Sequence, residues 1–171
     1  MAPSWDLFII IFFAAVVVFG IALGRERAIV GVIASYIALI TANVWGNAIV
    51  TFMEGGPTNV IGVFTLNGNP NALIVKASIF GAVIALLIIK GDFLKKALTY
   101  HTGVFSIVAA GMYSFLNAGI ITTALVSFLN DAQRIDLLSS SNLANLVIQY
   151  QTWWIVFPVI LMIVFGYKQT E

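Results

Sequence analysis

The sequence predicts an all-α, polytopic transmembrane bundle of about five spans, and three observations carry that expectation. Of 171 residues, 61% are hydrophobic and 9% charged, whereas a soluble domain devotes about a quarter of its residues to charge. Mean hydropathy is +1.04. The few charges fall between long uncharged runs, each near the roughly 20 apolar residues that cross a hydrocarbon layer about 30 Å thick. A chain of this length holds at most about five or six such spans, which leaves no room for a soluble catalytic domain. The absence of cysteine excludes disulfides, thiolate nucleophiles and zinc-thiolate sites. A balance of 8 basic and 7 acidic residues gives no sign of nucleic acid as a partner.

The charges mark the spans in order. Asp6 and Arg25 bracket a first apolar run, residues 7–24, rich in Ile, Phe and Val. Arg27 and Glu54 bracket a second, residues 28–53, which ends at Gly55-Gly56-Pro57, a sequence that cannot continue a helix. Residues 54–71 read as an outer loop, punctuated by Gly and Pro and by the turn Asn67-Gly68-Asn69-Pro70-Asn71, with an extended stretch at Val60–Leu66. The third span covers residues 72–89. Lys76 sits in its first turns and is expected to snorkel to an interface. A basic connector, Lys90 to His101, leads into the fourth span, residues 103–129, whose exit is marked by Asp131, Arg134 and Asp136. The fifth, residues 152–167, is short and carries Pro158, which is expected to kink it.

Residues 137–150 are expected at a membrane interface. Within Asn142–Tyr150, Leu143, Leu146, Val147 and Tyr150 follow helical spacing while Asn142, Asn145 and Gln149 face away, and Ser140 and Ser141 are N-cap candidates. The segment is either an amphipathic turn or two lying at the interface or the start of one long tilted helix.

Orientation follows from counting cations on alternate sides. Arg25, Arg27, Lys90, Lys95, Lys96 and Lys168 fall on one side and Lys76 and Arg134 on the other, so the positive-inside rule places the C-terminus in the cytoplasm and the N-terminus outside. Trp5, Trp45, Trp153 and Trp154 then form an outer aromatic belt. The order of charges around the first span, Asp6 before and Arg25 and Arg27 after, is the reverse of a signal peptide, so that span is expected to be retained.

Lipid is as apolar as leucine, so helices in a membrane associate through close packing and hydrogen bonds, and small and polar residues become the informative ones. Small residues recur every fourth position in three spans: Ala34, Ala38, Ala42 and Gly46; Ala77, Gly81 and Ala85; and Thr102, Ser106, Ala110, Ser114, Ala118 and Thr122. These rows are expected to pack helices within the chain or between copies. Ser35, Tyr36, Thr41, Asn43 and Asn47 lie in the second span and Tyr113, Ser114, Asn117, Thr122 and Thr123 in the fourth. An amide in hydrocarbon needs a partner, so Asn43, Asn47 and Asn117 are expected to face the interior, either as interhelical hydrogen bonds or as the lining of a path.

No Asp, Glu, Arg or His falls near the centre of a span, which argues against ion pumps, proton-coupled transporters and intramembrane metalloproteases. His101 sits alone in the connector. Phosphate-loop, zinc-protease and nucleophile-elbow motifs are missing, and Asp131 and Asp136 with Arg134 between them read as a solvated turn. No catalytic residue, metal ligand or cofactor is expected.

Ser4-Trp5-Asp6-Leu7-Phe8-Ile9-Ile10, then Gly20, Gly24-Arg25-Glu26-Arg27 and Gly31-Val32-Ile33-Ala34, together with Gly103, Gly111 and Gly119 in the fourth span, resemble the colicin V production protein family. The resemblance covers residues 4–45 and, more loosely, 102–125. It departs from the family at Glu26, where glycine is usual, and in having a fifth span. It implies a multispan inner-membrane protein linked to export and the envelope, and it supplies no catalytic residues. The expectation is a non-enzymatic membrane protein of the cytoplasmic membrane, in contact with lipid and with a membrane-protein partner or further copies of itself. The alternative is a small oligomeric channel or permease subunit with an Asn/Ser/Thr-lined path.

Overall fold

The computed structural model describes residues 4–54, 72–90 and 104–166, and each element among them is a helix: α1 (Trp5–Leu23), α2 (Arg25–Glu54), α3 (Ala72–Lys90), α4 (Val104–Ser127), α5 (Asp131–Ser140), α6 (Asn142–Gln149) and α7 (Gln151–Gly166). Helices α1 to α4 each contain a stretch long and apolar enough to cross a membrane, and α6 and α7, bent by 57°, make a fifth if taken as one span. The loop after Glu54 with Val60–Leu66, the connector with Lys95, Lys96 and His101, and Lys168 lie outside the described residues.

Helix α1 is capped at both ends. The Ser4 side chain accepts a hydrogen bond from the Leu7 N–H, and the Gly24 N–H donates to the Gly20 carbonyl at 3.0 Å. Gly24 has φ +86°, a left-handed conformation that costs a residue without Cβ nothing. One residue therefore reverses the chain, and α2 starts at Arg25, ahead of the apolar run that begins at residue 28.

Contacts fix the directions of the helices. Gly20 meets Ser114 and Ile21 meets Gly111, so α1 and α4 are antiparallel. Gly31 meets Asn117, while Ala38 and Ala42 share one cluster with Ala124 and Phe128, so α2 and α4 are parallel. Helix α3 runs back along α2, with Lys76 on Gly46 and Phe80 in the cluster of Ala38 and Ala42. Helix α7 descends beside α4, from Trp154 on Gly119 to Leu161 and Met162 against the cluster of Ala28, Ile29, Val32, Ala109, Ala110, Tyr113 and Ile120. The interior is thus built around α2 and α4. Elsewhere large apolar side chains face outward, as Phe8, Ile11, Val18 and Phe19 do on α1, a surface that suits lipid and would be costly in water.

Two local expectations are corrected, and a bend is found ahead of the one expected at Pro158. The Asp131–Asp136 region is not a turn but part of the ten-residue helix α5. Its start is fixed by a capping box in which the Gln133 N–H donates to the Asn130 side chain at 2.8 Å and the Asn130 N–H donates to the Gln133 side chain at 3.3 Å. In α6 the buried face centres on Ala144 and Val147, while Leu146 and Tyr150 are exposed, because the helix docks through its small residue. The marked bend falls at Tyr150, between α6 and α7, whereas α7 continues as helix through Pro158.

Candidate functional site

Proline at 158 cannot donate a backbone hydrogen bond, which loosens the turn before it. The Tyr36 hydroxyl of α2 donates to the Ile155 carbonyl in that turn, and the proline ring is itself fully buried. A neighbouring helix thus donates to a carbonyl of the turn that the proline loosens, the kind of partner a proline-containing helix finds in nonaqueous surroundings. One turn earlier, the Trp154 ring lies flat over Gly119: a Cβ built there would stand 2.3 Å from the indole. The indole N–H donates to the Val147 carbonyl at 3.0 Å, and Phe13 and Phe115 stack edgewise against the ring at 6.0 and 5.4 Å between centroids. Trp154 is therefore an interior anchor that ties α6, α7, α4 and α1 together, while Trp5, Trp45 and Trp153 are exposed as a belt requires.

Asp6 makes the longest-range polar contact of the chain's first turn. Its carboxylate accepts from the Ser141 hydroxyl at 2.5 Å and from the Leu143 N–H at 3.1 Å. Ser141 is the N-cap of α6, its Oγ accepting from the Ala144 N–H at 3.0 Å. Serine and aspartate thereby satisfy successive unpaired N–H groups where the helix dipole is positive. Charge marked Asp6 as a span boundary, but nothing in the local sequence links it to Ser141.

The small-residue rows divide. Ala34, Ala38 and Ala42 are completely buried and Gly46 is buried beneath the Lys76 stem, whose Cγ would stand 2.6 Å from a Cβ on that glycine. Lys76 is half-buried across α2 instead of simply reaching outward. On α4, Ala110, Ser114 and Ala118 are buried and Ser106 half-buried. On α3 the row is not used within the described chain at Gly81: it is exposed, with nothing among the described residues within 4 Å of a Cβ built on it, and Ala85 is exposed beside it. The reason is that α3 docks through larger side chains, Leu73, Phe80, Val83 and Ile84.

The three asparagines do not converge. Asn117 is half-buried opposite Gly31, Asn43 is half-buried, and Asn47 is exposed, contrary to its expected inward placement. Asn43 lies twelve residues from Gly31 along α2, or about 18 Å at helical rise. The face shared by Asn43 and Asn47 turns away from the seam that Ala38 and Ala42 close. Thr41 and Thr122 spend their hydroxyls inside their own helices, donating to the carbonyls of Ile37 at 2.7 Å and Ala118 at 2.8 Å.

A different polar set is buried without partners. The buried side-chain atoms Arg25 Nε, Ser35 Oγ, Tyr113 OH, Asn117 Oδ1 and Thr123 Oγ1 have no hydrogen-bond partner among the described residues. Ser35, Tyr113, Asn117 and Thr123 are legible as polar residues within spans; Arg25 reads only as a flanking charge, and its position comes from the one-residue reversal at Gly24. Among the described residues no group of three or more His, Cys, Asp or Glu side chains is placed to hold a metal. Comparison with family models, with curated proteins and with solved structures finds no match to this chain.

Proposed function

We propose that the protein is a non-enzymatic integral membrane protein that acts by associating with other membrane components through the outward face of α3. One observation carries the proposal: Gly81 and Ala85 form a small-residue face of the kind that α2 buries against its neighbour, and α3 leaves it open. A second helix can approach such a face closely. The partner is a membrane protein or another copy of this chain, and the resemblance of residues 4–45 to the colicin V production family points to envelope or export components of the cytoplasmic membrane. In that membrane the excess of Arg and Lys on one side places the N-terminus outside and the C-terminus in the cytoplasm.

The chain has no cysteine, so single-cysteine variants label one position cleanly. With a photoactivatable thiol-linked crosslinker in native membranes, Gly81→Cys and Ala85→Cys are expected to give a discrete protein adduct. Val18→Cys, on the lipid-exposed face of α1, is expected to give none. Equal yields at α1 and α3, or no adduct at α3, would overturn the proposal.

The alternative is a small oligomeric channel or permease subunit, favoured by the exposure of Asn47 and half-exposure of Asn43, which copies of the chain could bring around a shared path. Solute flux in liposomes that is abolished by Asn43→Leu together with Asn47→Leu would establish it in place of the first reading.

A further inference from the structure

Helices α2 and α4 run in the same direction with constant register: Gly31 lies opposite Asn117, and Ala38 and Ala42 share a cluster with Ala124 and Phe128, the same number of residues further along. At that register the unpartnered polar groups rise in the order Arg25, Tyr113, Asn117, Ser35, Thr123, contributed by α2, α4, α4, α2 and α4. With a rise of about 1.5 Å per residue, successive heights differ by about 3, 6, 6 and 3 Å, so the set climbs about 18 Å along the seam. Ser35 and Tyr113 are completely buried and Thr123 is 6% exposed. Arg25, at the lower end, is only half-buried and near enough to Tyr113 to act on it electrostatically. Above Thr123 the seam closes with the apolar cluster of Ala38, Ala42, Phe80, Ala124 and Phe128, where the two phenyl rings meet at 5.8 Å.

The chemistry of the set selects its ligand. Arg25 Nε–H only donates, Asn117 Oδ1 only accepts, and the three hydroxyls do both. No carboxylate is among them to attract a cation, and one guanidinium at one end does not make an anion site of the whole row. A neutral molecule that donates and accepts fits every member. A buried water molecule makes two to four hydrogen bonds, so it can link groups on the two helices that do not reach one another directly.

We propose that the α2–α4 seam holds a file of hydrogen-bonded water molecules that enters beside Arg25 and ends below the Phe80–Phe128 cluster. The file is a one-sided inlet: the guanidinium at its mouth repels cations and the aromatic cluster blocks its far end. It is independent of the α3 face, so either proposal can fail alone.

Hydroxyl radicals generated by an X-ray pulse in the full-length protein in nanodiscs, followed by mass spectrometry, test the file directly. Tyrosine and phenylalanine rings react with the radical at comparable rates, and only side chains beside water are oxidised quickly. Tyr113 is expected to be oxidised on the order of tenfold faster than Phe80 and Phe128, although all three are buried. Oxidation of Tyr113 no faster than that of Phe80 would overturn the proposal. Ser35→Ala and Thr123→Val supply a second measurement. Each removes a hydroxyl that water satisfies, so a lowered Tm is expected; an unchanged or raised Tm means that the hydroxyls are dry and unpaired, and rejects the file.

Discussion

In α2 the row Ala34, Ala38, Ala42 and Gly46 is covered along its whole length, while in α3 Gly81 and Ala85, spaced in the same way, face outward. The two helices pack against one another, so the contrast shows how a flat face is used. Helix α2 offers the flat surface and α3 brings Phe80, Val83 and Ile84 down onto it. Only one of two packed helices needs small residues at the contact, because dispersion energy comes from filling space, and a large side chain on a flat one fills it better than two flat ones. A row of small residues therefore identifies a helix face as able to accept a neighbour. Which neighbour, and whether within the same chain, is a separate matter.

Overpacking the two rows should give the widest split. Ala38→Leu is expected to destabilise the protein by about 1–3 kcal/mol, because the added atoms have no space in a completely buried position. Denaturant unfolding in micelles measures this, and a stability equal to that of the original chain would break the comparison. Removing the α2 hydroxyl that supports α7, by Tyr36→Phe, is expected to cost about 1 kcal/mol in the same measurement, the usual net value of one hydrogen bond.

On the α3 side the sign reverses. Gly81→Ala is expected to raise the stability of the isolated protein by about 0.5–1 kcal/mol, since glycine is a poor helix former and the site is open. Loss of stability on that substitution would mean that a neighbour already occupies the face. The smallest global effect is expected from Asp6→Asn, which weakens the charge-assisted cap on α6. Hydrogen exchange at the Leu143 amide should speed up while the interior of α4 keeps its protection, and unchanged exchange at Leu143 would show the cap to be dispensable.

Most of the architecture is legible in the residues themselves. Charges at Asp6, Arg25 and Lys90 stand within a few residues of helix ends, and the α2 row is buried, as are Ala110, Ser114, Ala118 and Thr122 of the α4 row. The helix at Asp131–Ser140 is harder to see, because its start depends on the reciprocal Asn130–Gln133 cap and no apolar stripe announces it. The unpartnered polar set is legible only in part: four of its members stand out as polar residues in spans, but their relative heights require the register of α2 against α4.

Composition and charge spacing by themselves determined that the chain is a bundle of apolar helices and where most of those helices lie, because crossing hydrocarbon fixes both the length and the polarity of a span. Tertiary structure alone decided which small faces close, that Asn47 points outward, that Asp6 meets Ser141, and that Tyr36 supports the turn before Pro158. Helical periodicity ties a side chain to its own axis, whereas these choices depend on the rotation and register of one helix against another, set by the summed packing of whole faces.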